Sequence, residues 1–203
     1  MIYDPAVPKH PVTMAIRALR AADVAFVPHL YAWHARGGTR ASSEALGVDE
    51  HAVVKTLIFE TERGDPLCVL MHGDREVSAK QLARVIGTKT VAPCAPEVAD
   101  RHSGYQVGGT SPFGLRRAMP IYLQTTVLAL PRIYLNGGAR GFLVKLRLER
   151  AAGLLAGRDT ISAIAQACGY ADHSAFTRQF RAVVGVTPRD YRQLRDQRYD
   201  IVP

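Results

Sequence analysis

Only three cysteines, Cys68, Cys94 and Cys168, stand in this 203-residue chain. They are far apart, odd in number and form no CxxC pair. That argues against a disulfide framework and a cysteine-based zinc site, and fits a reducing cytoplasm. Each reads as a small apolar core residue rather than a nucleophile. No run approaches the ~18 apolar residues a bilayer span needs. The N-terminus has neither the positive segment nor the long apolar core of a secretory leader. A soluble cytoplasmic protein without a membrane partner is expected. Internal repeats and low-complexity stretches are missing too. His29, His34, His51, His72 and His102 show no ligand spacing, and Asp65 and Asp74 sit in turn sequences. Neither a metal nor a cofactor is expected, and no Ser-His-Asp arrangement is visible.

What the chain does have is an excess of positive charge, +8 overall with a pI near 9.7. Residues 1–142 carry 16 basic and 12 acidic side chains, and residues 143–203 carry 10 and 6. Each part therefore contributes +4, and the shorter one is the denser positive surface. Such a balance favours polyanionic partners, nucleic acid above all, although a solvated basic surface has the same composition.

The hydrophobic period changes near Gly141–Leu146. Before it, short helices and strands alternate. Helices are expected at Thr13–Ala22, Ala41–Leu46, Val77–Ile86 and Pro96–His102. Strands are expected at Val24–Tyr31, Val53–Glu60, Pro66–His72, Thr90–Ala92, Ile121–Gln124, Thr126–Leu128 and Arg132–Asn136. After it, helices are expected at Leu143–Leu155, Ile161–Cys168, His173–Val184 and from Thr187-Pro188 onward, the last with a Thr cap and Pro at its first position. The expected architecture is an α+β domain over residues 1–142, a mixed β-sheet with surrounding helices, followed by a small all-α module over 143–203.

Two features of the first part bear on chemistry. Lys55 lies in the β-branched run Val53–Phe59, where alternation puts Val53, Lys55, Leu57 and Phe59 on one face. It is either an edge lysine that suppresses aggregation or a charge held in a pocket. The loop Gly104-Tyr-Gln-Val-Gly-Gly-Thr-Ser-Pro-Phe-Gly114 is rich in glycine. It is either a tight connector or a nest whose N–H groups meet a carbonyl oxygen or a developing oxyanion.

Taken with Phe26-Val-Pro-His-Leu-Tyr31, Val54-Lys-Thr-Leu57 and Tyr134-Leu-Asn-Gly-Gly-Ala-Arg-Gly141, these residues resemble the YbaK/EbsC family of aminoacyl-tRNA deacylases. That family is related to the editing insertion of bacterial prolyl-tRNA synthetases. The resemblance spans roughly residues 13–144 and includes the family's GxxxP motif at Gly108-Gly-Thr-Ser-Pro112. It implies a trans-editing enzyme, without metal or cofactor, that hydrolyses the ester joining a wrong amino acid to the tRNA 3′ end. Lys55 would orient the terminal adenosine and its phosphate. Gly108 and Gly109 would hold the substrate carbonyl through backbone N–H groups. Tyr31, Thr110, Ser111, Pro112, Asn136 and Gly137 would contact the substrate. Asn136 stands where cysteine-specific members carry serine. Thr56 and Thr110-Ser-Pro112 are closer to the Cys-tRNA(Pro) branch than to the Ala-tRNA(Pro) branch. In the cysteine branch the substrate's own thiol attacks the ester carbon. Implied partners are tRNA(Pro) and prolyl-tRNA synthetase.

In the second part, Ile161–Arg181 reads as helix, glycine turn, helix. Leu146-Arg-Leu-Glu-Arg-Ala-Ala-Gly-Leu-Leu155, Ser174-Ala-Phe-Thr-Arg-Gln-Phe-Arg181 and Gly185-Val-Thr-Pro-Arg-Asp-Tyr191 resemble the C-terminal part of AraC/XylS-type regulators. Only the linking helix and the second of that family's two helix-turn-helix units are matched. Phe176 and Phe180 would face the core. His173, Ser174, Thr177, Arg178 and Arg181 would face a DNA groove. One unit alone should bind duplex DNA through residues 160–192 only weakly. Dimerisation would compensate, as would a tRNA partner. Alternatively the linking helix closes the deacylase domain, burying Leu146 and Leu154. The chemistry is expected in the first part. The competing expectation is an AraC-type DNA-binding regulator whose YbaK-like domain senses a ligand.

Overall fold

The computed structural model describes residues 9–147, 160–167, 172–184 and 186–196. Helix α1 (Met14–Ala21) is capped by Thr13, whose Oγ1 accepts from the Ile16 N–H at 3.2 Å, and it buries Ala15, Ile16 and Leu19. There follow β1 (Val27–Leu30), α2 (Gly38–Leu46), β2 (Val54–Thr61), β3 (Pro66–His72), α3 (Ala79–Ile86), β4 (Val91–Pro93), α4 (Pro96–Ser103), β5 (Ile121–Leu123), β6 (Arg132–Ala139) and β7 (Phe142–Arg147). Three helices complete the described chain: α5 (Ile161–Ala167), α6 (His173–Val184) and α7 (Pro188–Asp196). Among the described residues, no helix is long and apolar enough to cross a membrane.

The strands form two sheets, ordered β1-β7-β6 and β4-β2-β3-β5. All pairs are antiparallel except β3 with β5. A parallel bridge between Val53 and Tyr134 joins the sheets. The main core lies between them and under α1. Ile16 and Leu19 meet Val54, Ile58, Cys68 and Leu70 from one sheet, and Ile133, Leu135, Phe142, Val144 and Leu146 from the other. Strand β3 is buried throughout, as its unbroken apolar sequence demands. Its Cys68 and Leu70 enter this core, while Leu67, Val69 and Met71 meet Leu82 and Ala83 of α3 on the opposite face.

Two expected elements are different in the structure. Thr126–Leu128 is not a strand; residues Thr125–Ala129 form a 3-10 helix. The helix expected from Leu143 does not start there, because Phe142–Arg147 is strand β7, paired with β1 on one side and β6 on the other. Period-2 alternation decides the matter. Phe142, Val144 and Leu146 are buried in the core, whereas Lys145 and Arg147 are not. Leu146 is therefore buried as a strand residue. A boundary at 142/143 would cut this strand. The rest of the expected linking helix, with Leu154 and Leu155, lies outside the described residues, as does Cys168.

The C-terminal helices pack on the first part. Ile164, Ala165, Phe176, Phe180 and Tyr191 form a cluster with Leu128, and Leu123 packs against it. Asp172 caps α6 by accepting from the Ala175 N–H at 2.7 Å. Thr187 and Asp190 form the cap of α7, with the Asp190 N–H donating to Thr187 Oγ1 at 3.2 Å.

Candidate active site

Strand β4 pairs only with Phe59–Thr61 of β2, so the edge of β2 from Val54 to Ile58 lies outside that ladder. The Cys94 N–H takes the Ile58 carbonyl at 2.9 Å. A cavity of about 680 Å³ opens along this edge, a size that suits a small organic ligand. Residues Val53–Phe59 line its floor. Trp33, Arg36, Thr39 and Ser42 line one wall, Val107, Gly108 and Thr110 another, and Asn136 and Arg140 a third.

Tyr31, Lys55, Gly108, Thr110 and Asn136, far apart in sequence, thus meet at one cavity. Lys55 is half-buried and lines this space, as do its same-face neighbours Leu57 and Phe59, which also belong to the cluster with α3. Val53 lies before the strand and packs with Tyr134 and Leu143. Among the described residues the lining contains three basic side chains, Arg36, Lys55 and Arg140, and no carboxylate. Among the described residues none of the three is in an ion pair. The cavity's electrostatics favour an anion.

The glycine loop is held from behind. Gly108 sits at φ 88°, in the left-handed region that glycine adopts freely. At Gly109 a Cβ would lie 2.9 Å from the backbone nitrogen of Arg140 and 3.0 Å from the carbonyl carbon of Ala139. The Gly109 N–H donates to Gln106 O at 2.8 Å, so it is not available to a substrate carbonyl as expected. Among the described residues, the N–H groups of Gly108 and Thr110 have no acceptor. Ser111 and Pro112 are buried behind the loop, where Ser111 Oγ accepts from the Phe113 N–H at 3.4 Å. Gly137 is buried against the Phe142 ring, 2.6 Å from where its Cβ would be. Gly109, Ser111, Pro112 and Gly137 shape the site without lining it.

Asn136 reaches the cavity, but its amide is engaged at both ends. Nδ2 donates to Gly108 O at 3.1 Å, and Oδ1 accepts from the N–H groups of Gly138 and Ala139 at 2.8 and 3.1 Å. It fastens the glycine loop to the bulge of β6. Thr56 differs: its Oγ1 is buried beside the cavity and has no partner among the described residues. Tyr31 is bound through its N–H to Gly141 O at 2.9 Å. Burial raises its phenol pKa despite hydrogen bonds with Ser42 and Gly141. Cys94 also lines the cavity, but burial and the nearby Glu60 charge push its thiol up to about 11. A thiol of that kind is protonated at neutral pH and is not a nucleophile.

Sequence reasoning assigned no role to Trp33, Arg36 or Arg140. The Arg140 guanidinium carbon lies 4.4 Å from the Trp33 ring centroid, and its Nε donates to Val107 O at 3.0 Å. A signal was present, since Arg140 falls in the Tyr134–Gly141 motif and Trp33 is the chain's single tryptophan.

A family model described as an aminoacyl-tRNA editing domain matches residues 37–152. The chain belongs to the aminoacyl-tRNA editing domain family. A second model, for a helix-turn-helix domain, matches residues 133–194. The two overlap on β6 and β7, which the structure places in the sheet. A protein of Enterococcus faecalis, EbsC, provisionally described as a Cys-tRNA(Pro)/Cys-tRNA(Cys) deacylase, is 28% identical over 138 residues, covering 68% of this chain and 84% of its own length. A proline--tRNA ligase of Nitratidesulfovibrio vulgaris is 32% identical over 83 residues, 41% of this chain but only 14% of the ligase. A crystal structure provisionally titled as a trans-editing enzyme for prolyl-tRNA synthetase superposes with a TM-score of 0.59 at 20% identity, over 80% of this chain and 95% of that one. It shares the fold.

Histidines that show no ligand spacing in sequence do meet in space. His51 and His72 stack with centroids 3.7 Å apart, and ligand atoms of His51, His72 and Asp74 lie within 4.8 Å of one another. Both nitrogens of His72 are engaged, Nδ1–H donating to His51 O and Nε2 accepting from Thr126 Oγ1, each at 2.7 Å. His51 Nδ1 meets Asp74 Oδ1 at 2.9 Å. In this arrangement His72 joins β3 to the Thr125–Ala129 turn through Thr126.

On α6, Phe176 and Phe180 are buried as expected, and His173, Ser174, Arg178 and Arg181 are exposed. Thr177 departs from the expected groove face. It is half-buried, with a hydroxyl that is shielded and lacks a partner among the described residues.

Proposed function

We propose that the protein is a trans-editing hydrolase that cleaves the ester of a mischarged aminoacyl-tRNA. The observation that carries this reading is a cavity lined by Arg36, Lys55 and Arg140 and, among the described residues, by no carboxylate, whose lining also includes Gly108 and Thr110, the two loop residues with N–H groups that have no acceptor there. The ammonium of Lys55 holds the anionic end of the nucleotide. The two N–H groups accept the acyl oxygen as its negative charge grows, an interaction worth more in the transition state than in the bound ester. The acyl C–O bond breaks and the tRNA 3′ oxygen leaves as a hydroxyl. Water supplies both the hydroxyl that ends on the amino acid and the proton that ends on the ribose. With the Cys94 thiol protonated, the nucleophile comes from water or from the substrate itself.

The proposed substrate is Cys-tRNA(Pro), or a similarly small amino acid on tRNA(Pro), with prolyl-tRNA synthetase as the working partner. The name of the Enterococcus relative and the unpartnered Thr56 hydroxyl support it. Because the Asn136 amide is engaged, discrimination falls to Thr56 and Tyr31. A panel of Cys-, Ala- and Pro-tRNA(Pro) tests this. Fastest release from Cys-tRNA(Pro) is expected; equal rates on all three, or release of cognate proline, would refute the substrate assignment.

A second reading has its own support. The helix-turn-helix match and the exposed His173, Ser174, Arg178 and Arg181 favour duplex DNA binding through residues 160–192, with a homodimer supplying the second unit. A salt-dependent mobility shift that Arg178→Ala and Arg181→Ala abolish would support it. No shift at low salt would exclude it.

A further inference from the structure

The rim of the cavity carries a group that ester hydrolysis does not use. Trp33 is 37% exposed and lines the cavity. Its indole is anchored rather than loose. The Arg140 guanidinium lies over the ring at 4.4 Å, and that guanidinium is tied to the loop through Val107 O at 3.0 Å. The Nε1 edge of the ring covers Gly108, where a Cβ would come within 3.2 Å of it. Among the described residues no other ring stacks on Trp33. An exposed aromatic held rigid at the mouth of an anion-attracting cavity lacks only a flat partner.

We propose that Trp33, clamped by Arg140, is the stacking platform for an unpaired nucleobase at the 3′ end of the RNA whose ester enters the cavity; this rests on the deacylase reading. Every base has a π-face, and stacking on an aromatic side chain is sequence-tolerant. Arg36 supports the assignment. It lines the same wall and holds a left-handed backbone conformation (φ 66°), uncommon for a non-glycine residue, with no ion-pair partner among the described residues. Base on Trp33 and phosphate near Arg36 and Lys55 give one strand two kinds of contact at the cavity mouth.

Trp33 is the single tryptophan of the chain, so its fluorescence reports this site alone. The probe is an uncharged RNA hairpin with a single-stranded 3′ overhang, titrated against the full chain beside the same hairpin with an abasic 3′-terminal nucleotide. The intact hairpin should quench the emission saturably, and the abasic one should bind about tenfold or more weakly. For hydrolysis of the charged hairpin, Trp33→Ala should raise KM about tenfold or more at nearly constant kcat, and Trp33→Phe should restore KM to within about threefold. Equal quenching by both hairpins, or a wild-type KM in Trp33→Ala, would overturn the platform even if hydrolysis proceeds. Base-dependent quenching without hydrolysis of any charged RNA would uphold the platform and refute the deacylase reading instead.

Discussion

Replacing Asn136 with alanine removes three hydrogen bonds at once, one to Gly108 O and two from the N–H groups of Gly138 and Ala139. At a net 0.5–1.5 kcal/mol each, the ceiling is about 4.5 kcal/mol. The side chain is only half-buried and water can replace part of what is lost, which puts the expected cost at about 2 kcal/mol. In a domain of this size that lowers Tm by about 4–8 °C. Activity should suffer more than stability, because the freed segment carries the Gly108 N–H; a fall of about tenfold in kcat/KM is expected. Asn136→Asp separates the two effects. It keeps both acceptor bonds to the β6 bulge, loses the Nδ2 donor, and adds a carboxylate to a cavity lined by none. The aspartate variant should therefore be the more stable and the less active of the two. Urea denaturation and deacylation kinetics measure both quantities. An alanine variant within 0.5 kcal/mol of wild type that also hydrolyses substrate normally would refute the claim that Asn136 fastens the loop.

Three further outcomes are expected. Gly109→Ala forces a methyl against backbone atoms of Ala139 and Arg140 at 2.9–3.0 Å; denaturation should show a loss of about 1–3 kcal/mol, with reduced deacylation. Thr56→Val removes a buried hydroxyl without a partner, so its Tm should equal or exceed that of wild type while discrimination between Cys- and Ala-tRNA(Pro) narrows; a clear drop in Tm would show that the hydroxyl is satisfied. Burial holds the His72 pKa below 6.5, against the weaker raising effect of its bond to His51 O. The folded ring therefore stays neutral while the unfolded one takes a proton, and stability present above pH 6.5 is lost as pH falls through the folded pKa. His29 is lowered in the same sense, so the difference in pH-dependent stability between wild type and His72→Gln isolates the His72 share; identical slopes would contradict it.

The sequence carried the site where residue type alone is diagnostic. Lys55 in a β-branched run and the glycines of 104–114 are unusual enough to read, and the structure brings Lys55 and, of those glycines, Gly108 to one cavity with Tyr31, Thr110 and Asn136. What could not be read was which polar groups remain free. Asn136 and the Gly109 N–H both look available in sequence, and both are engaged by partners 28 and three residues away. Trp33 was illegible for another reason: a lone aromatic in a loop has no periodicity to announce it. His51 and His72 meet only because the β2–β3 register sets Val54 opposite His72. The helix expected from Leu143 failed where two periods compete. Leu143 and Leu146 fit a helical spacing, but Phe142, Val144 and Leu146 fit a strand, and open edges on β1 and β6 settle the choice through the ladder. The C-terminal helices were legible as helices. Their seat on Leu128 was not, because it depends on a turn that reads as a strand.

The function proposed for the Lys55 cavity is ester hydrolysis. The decisive measurement is deacylation of Cys-tRNA(Pro) by the full chain and by Lys55→Ala, with thermal melting of both. The wild type should release the amino acid, and Lys55→Ala should do so at least about a hundredfold more slowly with an unchanged melting curve. A wild type that releases no amino acid from any mischarged tRNA, or a Lys55→Ala variant as fast as wild type, would contradict it.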